Sequence, residues 1–99
     1  MTARLSRLLV AYDIVDDRRR TRLANILQSF GDRIQFSVFL VDVTDAQEVR
    51  MRAKVNAEID GRVDSVLFCR LGPTATTGST SITYLGCRRT TTDDTDFVV

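Results

Sequence analysis

Three carboxylates and four guanidinium groups crowd one stretch near the start of the chain: Asp13, Asp16 and Asp17, then Arg18, Arg19, Arg20 and Arg22. Carboxylates are the side chains that hold hard divalent cations, and guanidinium groups are the ones that grip phosphate. The order of the two sets is unusual. A helix opens where the arginines sit, and a helix N-terminus carries partial positive charge, so cations there are disfavoured by roughly 0.3–1 kcal/mol each when exposed. Two explanations stand side by side. Asp16 and Asp17 offset the cost and the turn is simply solvated, or free amides, dipole and guanidinium groups together attract phosphate. Helical spacing puts Arg19 and Arg20 on or beside the apolar stripe, leaning towards Asp13, with Arg18 and Arg22 round the side.

The flanking residues say what must position this stretch. Residues 8–11 are continuously apolar, as in a central strand buried on both faces, which puts Asp13 near its carboxyl end. Asp16 or Asp17 is a natural N-cap, and Leu23, Ile26, Leu27 and Phe30 follow at helical spacing, predicting a helix over residues 18–30 that stops at Gly31. Full burial of each such side chain contributes on the order of 1.5–3 kcal/mol. Next comes the run 33–43. Ile34, Phe36, Val38 and Leu40 alternate with Arg33, Gln35, Ser37 and Phe39, and alternation alone describes a single strand. Phe39 then falls on the polar face, either as an interface or nucleic-acid contact or as an aromatic packed under a second layer.

Thr44 and Gln47 have the spacing of a capping box that opens a second helix reaching about Ile59, with Met51, Val55 and Ile59 along one side. Arg50, Arg52 and Lys54 add positive charge to it, a run that usually marks a solvated face. Asp60–Gly61 stops the helix. Residues 65–71 form another apolar strand, closed by Gly72–Pro73, with Cys69 expected in the core. Residues 74–81 read as a Thr/Ser/Gly loop and 82–87 as a short late strand. Residues 88–99 form a polar tail ending in Phe97–Val98–Val99, an apolar terminus suited to docking on a partner subunit.

Composition narrows the chemistry. The 99 residues make one domain over 1–99, with 27% charged and 43% hydrophobic residues and a net charge of +1, ordinary for a globular protein. The absence of histidine removes the usual general base, the usual neutral metal ligand and every histidine-dependent nucleophile. Cys69 and Cys87 are too few and too far apart for a zinc site or a CxxC motif, and nothing requires them to pair. The short apolar run before Asp13 is neither a leader nor a membrane span, so a soluble cytoplasmic protein is expected.

Taken together, Tyr12-Asp13-Ile14-Val15-Asp16-Asp17-Arg18-Arg19-Arg20 and Phe30-Gly31-x-Arg33-Ile34-Gln35-x-Ser37-Val38-Phe39 resemble the small CRISPR-associated adaptation protein, the second of the numbered Cas proteins. The likeness is dense over the first 43 residues, and Leu40 stands where many members carry an acid. The resemblance implies an α+β, ferredoxin-like βαββαβ domain with an extra late strand, so that residues 33–43 must bend into two strands at Phe36–Ser37. It also implies a homodimer that works with the Cas integrase in spacer acquisition. Some members act as Mg²⁺-dependent endonucleases on single-stranded RNA or double-stranded DNA. Carried over residue by residue, the metal-binding aspartate is Asp13, and the other catalytic positions are Tyr12, Arg20, Arg22, Arg33 and Phe39. Arg18, Arg19, Arg20, Arg22 and Arg33 would contact nucleic acid. Because Mg²⁺ demands octahedral oxygen ligation, two Asp13 side chains meeting across a dyad would make the minimal site. Competing expectations are an architectural DNA-binding scaffold without catalysis and a toxin-like ribonuclease of related fold.

Overall fold

The structure, a computed structural model, describes residues 4–77 and 82–87. The chain runs β1 (Ser6–Asp13), α1 (Asp17–Gln28), β2 (Gly31–Gln35), β3 (Val38–Val43), α2 (Asp45–Glu58), β4 (Ser65–Pro73) and a single helical turn, α3 (Thr74–Thr77). The four strands form one antiparallel sheet in the order β2-β3-β1-β4. Each helix therefore connects two strands across an intervening third, the split βαβ arrangement of a ferredoxin-like domain. Among the described residues no helix is long and apolar enough to cross a membrane.

Local chemistry accounts for the elements. The Asp16 side chain accepts from the Arg19 amide at 2.9 Å and caps α1, and Thr44 and Gln47 exchange both bonds of a capping box at the start of α2. Such caps satisfy amides that would otherwise be orphaned at the helix start. Both helices lie over the same face of the sheet. Leu23, Ala24 and Leu27 of α1 and Met51 and Val55 of α2 pack on Leu8, Val10 and Tyr12 of β1 and on Phe39, Val41 and Val43 of β3.

Several expectations change here. Residues 8–11 are apolar throughout, but the helices bury only Leu8 and Val10, leaving Leu9 and Ala11 half-buried on the opposite face. Residues 33–43 do divide at Phe36–Ser37, and Arg33 and Phe39 face each other across the hairpin on one face of the sheet. Phe39 is wholly buried in the core, whereas Phe36 is 67% exposed. Phe39 as a direct nucleic-acid contact is thereby corrected: the face that Arg33 makes look polar is the one the helices cover, so Phe39 is the aromatic packed under a second layer. Cys69 is likewise exposed rather than a core thiol, because its register partner on β1 is Leu9, on the uncovered face. Cys69 is a free thiol.

The expected late strand is absent from the described residues 82–87, which are irregular with a bend at Leu85–Gly86. Gly86 has φ +78°, a left-handed conformation that interrupts an extended ladder. Residues 74–77 of the expected loop form α3, while 78–81 and the tail 88–99 lie outside the described residues.

Gly31 begins β2 as well as ending the helical segment, and close approach is what requires glycine there. A Cβ on Gly31 would stand 2.7 Å from the Val41 Cα and press on the Leu40 carbonyl of β3. Neither backbone atom can yield without shifting the β2–β3 ladder. Gly31→Ala should therefore destabilise the domain by roughly 1–3 kcal/mol or more, read as a lower urea midpoint at unchanged slope.

Candidate nucleic-acid and metal site

Asp13 is the last residue of β1, on the uncovered face and exposed, with Ser65 of β4 as its register partner. Its carboxylate has no hydrogen-bond or ion-pair partner among the described residues. The neighbouring acids are occupied. Asp16 is held below its ordinary pKa by the Arg19 amide it accepts from, and Asp17 pairs with Arg20. Among the described residues no three Asp, Glu or Cys side chains cluster as metal ligands. At this strand end the described residues thus offer Mg²⁺ one unpaired carboxylate, leaving the rest of an octahedral shell to water, substrate or a further chain.

The arginines separate into two groups. Arg20 does lean to the strand end, its Nη1 donating to the Ile14 carbonyl at 2.7 Å, next to Asp13. Arg19 turns away to Asp64, with its Nε 2.7 Å from Oδ2. Arg22 donates to Glu58 on α2 at 2.6 Å, and this pair is more than half exposed on the arginine side. Exposed pairs of that kind contribute little, so Arg22 can exchange its partner for a phosphate at small cost. Arg18 is exposed and makes no side-chain bond among the described residues.

Tyr12, Arg33 and Phe39 come together on the other, helix-covered side of β1. The Tyr12 and Phe39 rings stack with centroids 6.3 Å apart. Arg33 is the cross-strand partner of Phe39, and its guanidinium carbon lies 5.4 Å from that ring's centre and 5.7 Å from the centre of Phe36. Arg33 Nη2 stands 3.5 Å from the Tyr12 hydroxyl, while its Nε is buried without a hydrogen-bond partner. Two rings, rather than a carboxylate, hold this cation. Phe39 therefore belongs to the site as the support beneath Arg33.

The comparisons with known proteins agree with this architecture and extend the likeness along the chain. The model of the family described as CRISPR-associated protein Cas2 matches residues 6–77. The chain belongs to the Cas2 family. It is 38% identical over 91 residues to a CRISPR-associated endoribonuclease Cas2 of Thermus thermophilus, spanning 92% of this chain and 95% of that relative. Among solved structures, it superposes on the hypothetical protein TT1823 from Thermus thermophilus with TM-score 0.74 and 30% identity, over 88% of this chain and 98% of that one. Streptococcus pyogenes Cas2 gives TM-score 0.73 and 29% identity, over 81% of this chain and 99% of that one.

Sequence reasoning passed over the residue that holds the site's backbone in this Cas2-family chain. The Asp64 side chain is wholly buried in the turn before β4. Its carboxylate accepts from the Val15 amide at 3.3 Å, from the Asp60 amide at 2.8 Å and from two nitrogens of Arg19. It ties the turn after Asp13 to the end of α2. The available signal was an acid stranded just ahead of an apolar strand, where neither solvent nor a helix cap explained it.

The Arg19 hydrogen bonds outweigh the effect of burial and bring Asp64 down to about 2, from 3.8 in the absence of the fold. A carboxylate depressed on folding contributes stability above its unfolded value, and that contribution is lost as pH falls through the folded one. Asp64→Asn should lower the urea midpoint at pH 7. The gap between the two proteins should then narrow as pH falls from about 4 towards about 2, followed by equilibrium unfolding at each pH. A gap that held constant would mean the carboxylate's charge plays no part.

Proposed function

We propose that this chain is a CRISPR-associated nuclease that binds nucleic acid and hydrolyses phosphodiester bonds in RNA or DNA, acting as a homodimer beside the Cas integrase in spacer acquisition. The observation that carries the reading is the unpaired, exposed Asp13 carboxylate, set at a strand end where Arg20 reaches in from α1. The endoribonuclease name of the Thermus thermophilus relative points the same way.

The uncovered face of the sheet supports self-association. Leu9, Ala11, Val38 and Leu40 are only half-buried on the face the helices leave uncovered, and Leu67 there is 54% exposed. A sheet apolar on both faces asks for cover on both. Asp13 lies on that same face, so a two-fold partner would bring a second Asp13 and complete the pair of carboxylates that one chain lacks. Magnesium held there would neutralise charge building on the attacked phosphoryl group. Arg20 would hold the phosphate and stabilise the negative charge that develops on it, while Arg18, Arg22 and Arg33 contact the neighbouring backbone.

A second reading, an architectural DNA-binding scaffold, is favoured by one observation: Arg18 and Arg22 are exposed to phosphate independently of Asp13. The two readings part on Asp13→Asn. With duplex DNA and single-stranded RNA, each with Mg²⁺ or chelator, the nuclease reading expects cleavage by the wild type only with metal, and a loss on the order of 10²-fold or more in the variant. Salt-sensitive duplex binding by both proteins with cleavage by neither would establish the scaffold. Independently, Leu67→Lys should convert a dimeric wild type to a species of single-chain mass in light scattering, and a wild type already of that mass removes the dimer.

A further inference from the structure

The turn between β2 and β3 carries a feature that neither the fold nor the Asp13 chemistry uses. Its two residues are Phe36 and Ser37, and a tight turn asks for small or polar side chains. Phe36 instead holds out a ring that is 67% exposed. A single exposed aromatic needs no explanation by itself. This one has company. The Arg33 guanidinium lies 5.7 Å from its centre and 5.4 Å from the buried Phe39 ring, which in turn stacks on Tyr12. A chain of π contacts thus runs from the core through Arg33 to a ring in solvent.

Three further observations say what that ring is suited to. The turn is fixed in place, because the Phe36 carbonyl accepts from the Tyr12 hydroxyl at 3.4 Å and the Ser37 carbonyl accepts from the Tyr12 amide at 3.1 Å. It is therefore anchored beside the residue next to Asp13. The Arg33 charge meets no carboxylate among the described residues, and its Nε is buried unpartnered, so the cation's field is not cancelled locally. A flat apolar face, rigidly mounted and backed by an uncompensated cation, fits a group that is itself flat and carries negative charge close by. An unpaired nucleotide has both, a base to stack and phosphates to meet the charge.

We infer that Phe36, supported by Arg33 and Phe39, is a stacking platform for an unpaired nucleobase at the Asp13 end of the sheet. The inference rests on the reading of this chain as a nucleic-acid-binding protein and narrows it to single-stranded segments. A closed duplex keeps its base faces stacked on one another and offers the ring nothing except at its ends.

The chain contains no tryptophan, so Phe36→Trp installs a unique reporter at the platform. It would be titrated in chelator, which prevents cleavage, with a single-stranded RNA and with a long, fully paired RNA duplex. Stacking predicts quenching of the introduced indole by the single strand and little by the duplex. In parallel, Phe36→Ala should weaken single-strand binding roughly 5- to 100-fold while leaving duplex binding within about 2-fold. Phe36→Leu, which restores apolar bulk without a π face, should stay as weak as Phe36→Ala. Because the ring is exposed, circular dichroism of all three variants should match the wild type.

Unquenched emission with unchanged Phe36→Ala affinity would overturn the platform and leave nucleic-acid binding standing. A wild type that binds neither RNA would overturn both. Blue-shifted emission before any RNA is added, with Phe36→Ala falling to single-chain mass, would show the ring covered by a second copy and would overturn the platform as well.

Discussion

The buried carboxylate of Asp64 is the junction through which the two halves of this domain hold the strand end in shape. The turn after β1 must leave the sheet, present Asp13 and enter α1 within three residues, and its amides have few partners in so short a path. Asp64 supplies one to Val15 and another to Asp60, at the exit of α2, and it neutralises Arg19 between them. A buried charge is costly unless every lone pair is met. Here donors from three separate segments converge on it. Consequently the position of Asp13 is coupled to the end of α2, far away in sequence.

That junction also decides which arginines remain for a ligand. Formal charge near the start of α1 suggests a dense basic patch, but much of it is committed. Arg19 is bound to Asp64, Arg20 shares itself between Ile14 and Asp17, and Arg7 forks onto Asp42 at the far end of the sheet. Glu48, buried on α2, takes Arg52 and Arg70. Burial pushes its pKa up, yet the two guanidinium groups more than reverse this. What remains for phosphate is Arg20, whose partner Asp17 is exposed and exchangeable, Arg18 with no partner among the described residues, Arg22 in a weak exposed pair and Arg33 held by rings. The usable charge is thus a small set placed around the strand end rather than the whole run of arginines.

The sequence made the elements legible wherever a local rule governs them. The Asp16 cap, the Thr44–Gln47 box and the helical stripes through Leu23–Leu27 and Met51–Val55 are short-range chemistry, visible without tertiary contacts. Failures came where the third dimension decides. Two residues of turn at Phe36–Ser37 contain no glycine, proline or asparagine, so alternation runs straight across them and groups Phe39 with polar residues and Phe36 with apolar ones, whereas Phe39 is buried and Phe36 exposed. Cys69 was misplaced for a related reason: an apolar run looks the same whether one face or two are covered. Asp64 was invisible because its partners come from Val15, Arg19 and Asp60, and no spacing rule links them.

The same parity that misled the reading of Phe39 orders the site. Along β1, Leu8, Val10 and Tyr12 face the helices, while Leu9, Ala11 and Asp13 face the uncovered side. The candidate residues therefore belong to two faces of one sheet. Asp13 sits with the apolar surface available to a partner copy, and Tyr12, Arg33 and Phe39 sit beneath the β2–β3 turn. They approach one another only where β1 ends and the sheet stops separating them. A nucleic acid engaging both sets must lie across that edge, with a phosphate near Asp13 and Arg20 and its next nucleotide towards Phe36. The edge of a thin sheet is thus where one strand's alternating side chains can act on a single ligand.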